Sequence, residues 1–91
     1  MNTNTSFKVT LGIMPDYSFN GPGVRADGVS DGRPASKAGI KAGDIILQIG
    51  EHAITDLQKY MDTLNKFNKG DATKVKVKRG NEEQVFDIVF L

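Results

Sequence analysis

Val9, Leu11 and Ile13 alternate with Thr10 and Gly12 inside the stretch Phe7 to Met14. A period of two predicts a strand with one buried face. Pro15 removes a backbone donor and limits any continuing ladder. Asp16 to Gly23 collects Asp, Ser, Asn, Gly and Pro and reads as a loop. Val24 to Val29 is a second short strand, followed by a turn at Asp31-Gly32-Arg33. Pro34 suits the first position of a helix, and Gly39 followed by Ile40 suits its end, so Pro34 to Ala38 is a short helix. Ile45 to Ile49 is almost wholly apolar and β-branched, a buried strand. After a turn at Gly50-Glu51-His52, Ala53-Ile54 is a brief strand. Thr55 then caps a helix, with Gln58 completing a capping box. Leu57, Tyr60, Met61, Leu64 and Phe67 carry that helix at helical spacing to about Asn68. Lys74 to Arg79 is a strand with Val75 and Val77 inward and its basic residues outward as a solvated strip. Gly80-Asn81 turns the chain, and Val85 to Leu91 returns with Phe86, Ile88 and Phe90 on one face.

Five or six short strands, one short helix and one main helix do not alternate as in a parallel α/β protein. The pattern predicts a mainly β fold with helices (α+β). Its form is a small, partly open antiparallel β-barrel or sandwich capped by the main helix. The chain of 91 residues is one domain. Residues 1–6 are polar and read as a disordered tail, leaving 7–91 as the folded unit.

Composition narrows the chemistry. A formal net charge of +1 lacks the basic excess of a nucleic-acid binder. No cysteine is present, so there is neither a disulfide framework nor thiolate chemistry. No apolar run approaches the roughly 20 residues of a membrane helix, so no membrane insertion is expected. His52 is the only histidine, without a second His or a Cys to complete a metal site, and is expected to be an exposed bystander. Ser18, Ser30 and Ser36 lack a nucleophile context. Gly21-Pro22-Gly23-Val24-Arg25-Ala26 imitates a dinucleotide fingerprint, but no helix follows to receive a phosphate. No catalytic set, metal or cofactor is expected.

The segment Arg33-Pro-Ala-Ser-Lys-Ala-Gly-Ile-Lys-Ala-Gly-Asp-Ile-Ile-Leu-Gln-Ile-Gly, 33 to 50, carries a long fixed-spacing pattern. Pro34, Ala35, Ala38, Gly39, Ile40, Gly43, Asp44, Ile45, Ile46, Ile49 and Gly50 match the signature of bacterial PDZ domains. The order of elements resembles the circularly permuted, protease-associated form. The run Leu11 to Tyr17 most resembles the version appended to secreted zinc aminopeptidases. The resemblance implies a non-catalytic module that receives the C-terminus or an extended segment of a protein by strand addition beside a helix. It implies service to a parent protease in the bacterial periplasm or outside the cell.

By that resemblance Leu11, Gly12, Ile13 and Met14 form the loop whose backbone N–H groups receive the peptide carboxylate. Leu57, Met61 and Leu64, on one helical stripe, form the groove for an apolar end residue, while Tyr60 and Phe67 point to the sheet. Gly39 and Gly43 supply turns, and Asp44 accepts backbone hydrogen bonds. Pro15 departs from the longer edge strands of the family and implies a groove gripping two or three peptide residues. The second reading is a structural or regulatory docking domain of a larger peptidase that binds no free peptide.

Overall fold

The structure is a computed structural model, and residues 9–90 are described below. The expected tail, and Phe7 and Lys8 of the expected first strand, lie outside the described residues, as does Leu91. Eight elements follow in order: β1 Ile13–Pro15, β2 Val24–Val29, α1 Pro34–Ala38, β3 Ile45–Ile49, β4 His52–Ala53, α2 Leu57–Leu64, β5 Ala72–Arg79 and β6 Glu82–Val89. The strands are antiparallel and ordered β1-β2-β3-β5-β6, with β4 paired to β3. The expected mainly β architecture with one main and one short helix is therefore the observed one.

Alternation decides the core. Val9, Leu11, Val24, Ile46, Ile49, Val75, Val77, Ile88 and Phe90 are buried, joined from α2 by Tyr60 and Leu64. The first strand is shorter than its alternation suggests. Residues 9–12 are irregular, and β1 covers only Ile13–Pro15, with a register shift between Met14 and Pro15. The cause is Gly12, whose φ of +81° breaks the extended backbone just before the strand. In α1 the expected glycine stop is present: Gly39, at φ 105°, donates to the Ala35 carbonyl (3.1 Å), and Ile40 N–H donates to the same oxygen (3.0 Å).

Two expectations are corrected on α2. Its N-cap is Asp56, not Thr55: the Asp56 carboxylate accepts from Lys59 N–H at 2.8 Å, while the Thr55 carbonyl accepts from Gly23 N–H. The helix ends at Leu64 rather than near Asn68. Lys66 and Phe67 donate to carbonyls three residues back, tightening the chain into turns. Phe67 then packs on the Phe90 ring, with centroids 5.1 Å apart, and meets the His52 ring edge-on.

The basic strip is also corrected. Strand alternation separates Arg79 from Lys74, Lys76 and Lys78 and turns it inward. Its guanidinium donates to both Asp44 carboxylate oxygens, at 2.8 and 2.7 Å, and to the Gly39 carbonyl at 3.0 Å. It also lies 5.4 Å from the Phe86 ring centre. Asp44 is nearly inaccessible and also accepts from Lys41 N–H at 2.9 Å. Burial works to raise its pKa, but the bonds from Arg79 and Lys41 outweigh it and hold the carboxyl below its ordinary value. One ion pair thus ties the end of β5 to the end of α1 and the turn before β3. Lys74 and Lys76 face the acids of β6, Asp87 at 2.6 Å and Glu83 at 3.8 Å, so much of the strip's charge is neutralised across the strand pair.

Candidate functional site

Among the described residues β1 is a terminal strand, paired to β2 on one side only. Which of its backbone groups remain available follows from the bonds it makes. Gly12 C=O accepts from Ser30 N–H (2.8 Å), and Asp16 N–H donates to Arg25 C=O (2.9 Å). Backbone groups alternate in direction along a strand, so Gly12, Met14 and Asp16 face β2, and Ile13 and Pro15 face the open edge. Ala26, opposite Pro15, agrees: it bonds Asp44 C=O and Gly43 N–H on its other side. The open edge therefore offers the N–H and C=O of Ile13 and the C=O of Pro15, and proline supplies no second donor.

In the loop before this edge, Gly12 holds a left-handed φ of +81°, which glycine adopts without a side-chain clash. Gly12 N–H donates to the Thr10 hydroxyl oxygen at 3.1 Å. The loop match of the sequence runs through Thr10, Leu11, Gly12 and Ile13, and Thr10 holds the loop through its hydroxyl. Gly12 is also required by packing, because an added Cβ would lie 2.2 Å from the Arg33 Cβ.

The site side chains divide. Leu11 is completely buried in the core and offers the loop its backbone alone; its C=O accepts from Ala35 N–H at 2.9 Å, fixing the loop against α1. Ile13 is half-buried against the core. Met14 lies on the opposite face of β1, 53% exposed, with its terminal methyl over Gly28. On α2, Leu57 and Met61 are half-buried at the margin of the core, whereas Leu64 is 5% exposed and belongs to it. Helical geometry explains the split: Tyr60 and Leu64 share the inward face, and Leu57 and Met61 are rotated toward its border. Tyr60 is buried as expected, and burial raises its hydroxyl pKa.

Pro15 of β1 and Leu57 of α2 share the wall of a cleft of about 310 Å³ with Phe19 and Val24. The loop beside it is held by Asp16. Its carboxylate accepts from the Ser18 hydroxyl (2.7 Å), from Ser18 N–H (3.0 Å) and from Arg25 (2.9 Å), which together lower its pKa. His52 is half-buried against Phe67, more enclosed than the exposed bystander expected. Among the described residues no three His, Cys, Asp or Glu side chains are grouped as metal ligands, and no helix is long and apolar enough to cross a membrane.

An edge strand headed by a glycine loop, bordered by a helix in a six-stranded antiparallel sheet, defines a class of small binding modules. Residues 6–89 match the PDZ domain family, and the chain belongs to it. Members of this family are non-catalytic modules. The chain is 35% identical over 88 residues to the serine protease Do-like HtrA of Lactococcus lactis subsp. lactis, covering 97% of the chain and 20% of that protein. The chain thus spans about a fifth of that relative's length. A solved aminopeptidase N family protein from Idiomarina loihiensis superposes over 99% of the chain and 15% of its own, with a TM-score of 0.83 and 22% identity. The HtrA3 PDZ domain bound to a phage-derived ligand, FGRWV, superposes over 92% of the chain and 86% of its own, with a TM-score of 0.76 and 20% identity. Both solved structures share the fold, and the relatives are protease-associated.

Proposed function

We propose that the chain receives the carboxy-terminal end of a polypeptide as an added strand on the open edge of β1, beside α2. The observation that carries this reading is the juxtaposition of three features. These are a glycine loop with φ +81°, strand-edge groups at Ile13 with no backbone partner among the described residues, and two half-buried apolar side chains, Leu57 and Met61. The carboxylate would exchange for the Thr10 hydroxyl at Gly12 N–H and engage the loop Leu11, Gly12, Ile13 and Met14 through backbone groups. An apolar terminal side chain would rest on Ile13, Leu57 and Met61, over the floor made by Leu64. The ligand of the HtrA3 domain ends in valine, in keeping with that preference. The HtrA kinship supports a parent peptidase acting outside the bacterial cytoplasm, for which this module selects or senses polypeptide ends.

Pro15 favours a second reading, a docking domain of a larger peptidase with no free-peptide ligand, because it shortens the adhesive edge. Titration of isotope-labelled protein with peptides ending in Val, Leu, Ala or Phe, free or amidated, separates the two. Free-acid peptides that move the amides of Gly12, Ile13 and Met61 support the peptide reading. No shift with any peptide rejects it in favour of docking.

A further inference from the structure

The sheet has two terminal strands among the described residues, and they are guarded differently. An open strand edge invites another strand, and proteins blunt such edges with proline, bulges or short length. β1 has all three: it is 3 residues long, contains Pro15 and carries a register shift. β6, at the other end of the strand order, has none of them. It runs for 8 residues without proline, in unbroken register with β5. Its bonds fix which backbone groups are left over. Phe90 N–H donates to Asp71 C=O (2.9 Å) and Phe90 C=O accepts from Gly70 N–H (2.6 Å), so Phe90 faces β5. The two-residue turn between Arg79 and Glu82 makes that pair a bonded one as well. Alternation then turns the N–H and C=O of Glu83, Val85, Asp87 and Val89 to the open edge. Their side chains share the solvent face with Lys74 and Lys76, and Val85 and Val89 are 56% and 49% exposed.

We infer that the β6 edge is a self-association surface, on which a second copy of this chain lays its own β6 antiparallel, with Phe86 at the two-fold axis. Charge selects this partner and this register. Centred on Phe86, the pairing sets Val85 against the second copy's Asp87 and Glu83 against the second copy's Val89, and each such pair closes two backbone hydrogen bonds. Centred on Val85, it would set Glu83 against Asp87; centred on Asp87, it would set that acid against itself, and both are repulsive. Within each chain Asp87 is bonded to Lys74 and Glu83 faces Lys76, so the acids of the edge do not bar a like strand. Lys37 of α1 lines a cleft of about 210 Å³ with Asp87, Ile88 and Val89, and the arriving Glu83, opposite Val89, brings the complementary charge to it. The pairing leaves β1 unused, at the other end of the strand order, so the dimer presents that edge twice and is bivalent.

The test is sedimentation of the full chain from micromolar to millimolar concentration, with amide exchange followed at both ends of the range. The expected result is a reversible monomer–dimer equilibrium in the submillimolar range, as a small interface predicts. The amides of Glu83, Val85, Asp87 and Val89 should become protected only in the concentrated sample. Val85→Pro removes an edge N–H without touching the β5 ladder and should weaken dimerisation about tenfold or more. Val85→Glu, set against Asp87, should weaken it about threefold or more, whereas Val85→Lys, set against the same acid, should retain or strengthen it. The two charge variants decide the matter even where the proline variant does not fold. A wild type that stays monomeric at millimolar concentration overturns the inference. So do edge amides already protected in the dilute monomer, which would place the cover within one chain. Equal weakening by glutamate and lysine overturns the Phe86-centred pairing.

Discussion

Pro15 faces the open edge of β1, so replacing it adds a donor without disturbing the β1–β2 pairing. Pro15→Val is the informative change, because valine favours extended backbone. The edge now offers one N–H and two C=O groups, from Ile13 and Pro15; valine adds a second N–H two residues along. A peptide strand long enough to reach it gains one backbone hydrogen bond, worth a net of about 0.5–1.5 kcal/mol. That is a gain in affinity of about two- to twelvefold. The cost falls on stability: losing proline's restriction of the unfolded chain destabilises by about 0.4–1 kcal/mol. Calorimetric titration with a dipeptide and a pentapeptide of the same terminal residues reads the first effect, and urea unfolding reads the second. The pentapeptide should tighten and the dipeptide should not, since a dipeptide ends before residue 15. Equal tightening of both lengths, or none, would refute the assignment of residue 15 to the peptide-facing edge. Valine should also increase self-association, because proline blunts an exposed strand edge.

Asp44→Ala removes the acceptor of two guanidinium bonds and one backbone N–H, and should cost about 2–4 kcal/mol in chemical denaturation. The folded carboxyl is held below its ordinary value of 3.8, so its stabilising effect is present above that pH and is lost as pH falls through the lowered folded value. The gap between wild type and Asp44→Asn should accordingly close in acid, which pH-dependent unfolding curves measure. Asp56→Ala should lose about 1 kcal/mol, whereas Thr55→Ala should lose much less if Asp56 is the cap of α2. Leu64→Ala should destabilise by about 2–4 kcal/mol as a core truncation. Met61→Ala should instead weaken peptide binding roughly fivefold with a smaller stability loss; the reverse ordering in thermal and titration data would exchange their roles.

Local pattern was enough for most elements. The spans of β2, α1 and β3 were legible because each is bounded by residues with strict backbone demands, such as Pro34 and Gly39, and because burial imposes the alternation or apolar run. The glycine loop at Gly12 was legible for the same reason. Asp56 and Thr55 were confused because both residue types cap helices and stand side by side, and only the bond to Lys59 N–H separates them. The end of α2 was misplaced because Phe67 continues the helical spacing although its burial comes from Phe90.

What the sequence by itself determined, then, is a mainly β fold with one short and one main helix, its inward faces and the glycine break at residue 12, while the PDZ family was carried by the resemblance of the 33–50 segment. The elements and their faces follow from rules that span a few neighbouring residues. What only the tertiary structure decided is every relation between distant positions: Arg79 folding in on Asp44, Leu64 sinking into the core beside the half-buried Met61, Pro15 facing outward, and Arg33 lying on Gly12. Such relations depend on how twisted strands and short helices pack in three dimensions. A hydrogen bond or ion pair between residues 35 positions apart leaves no periodic trace along the chain.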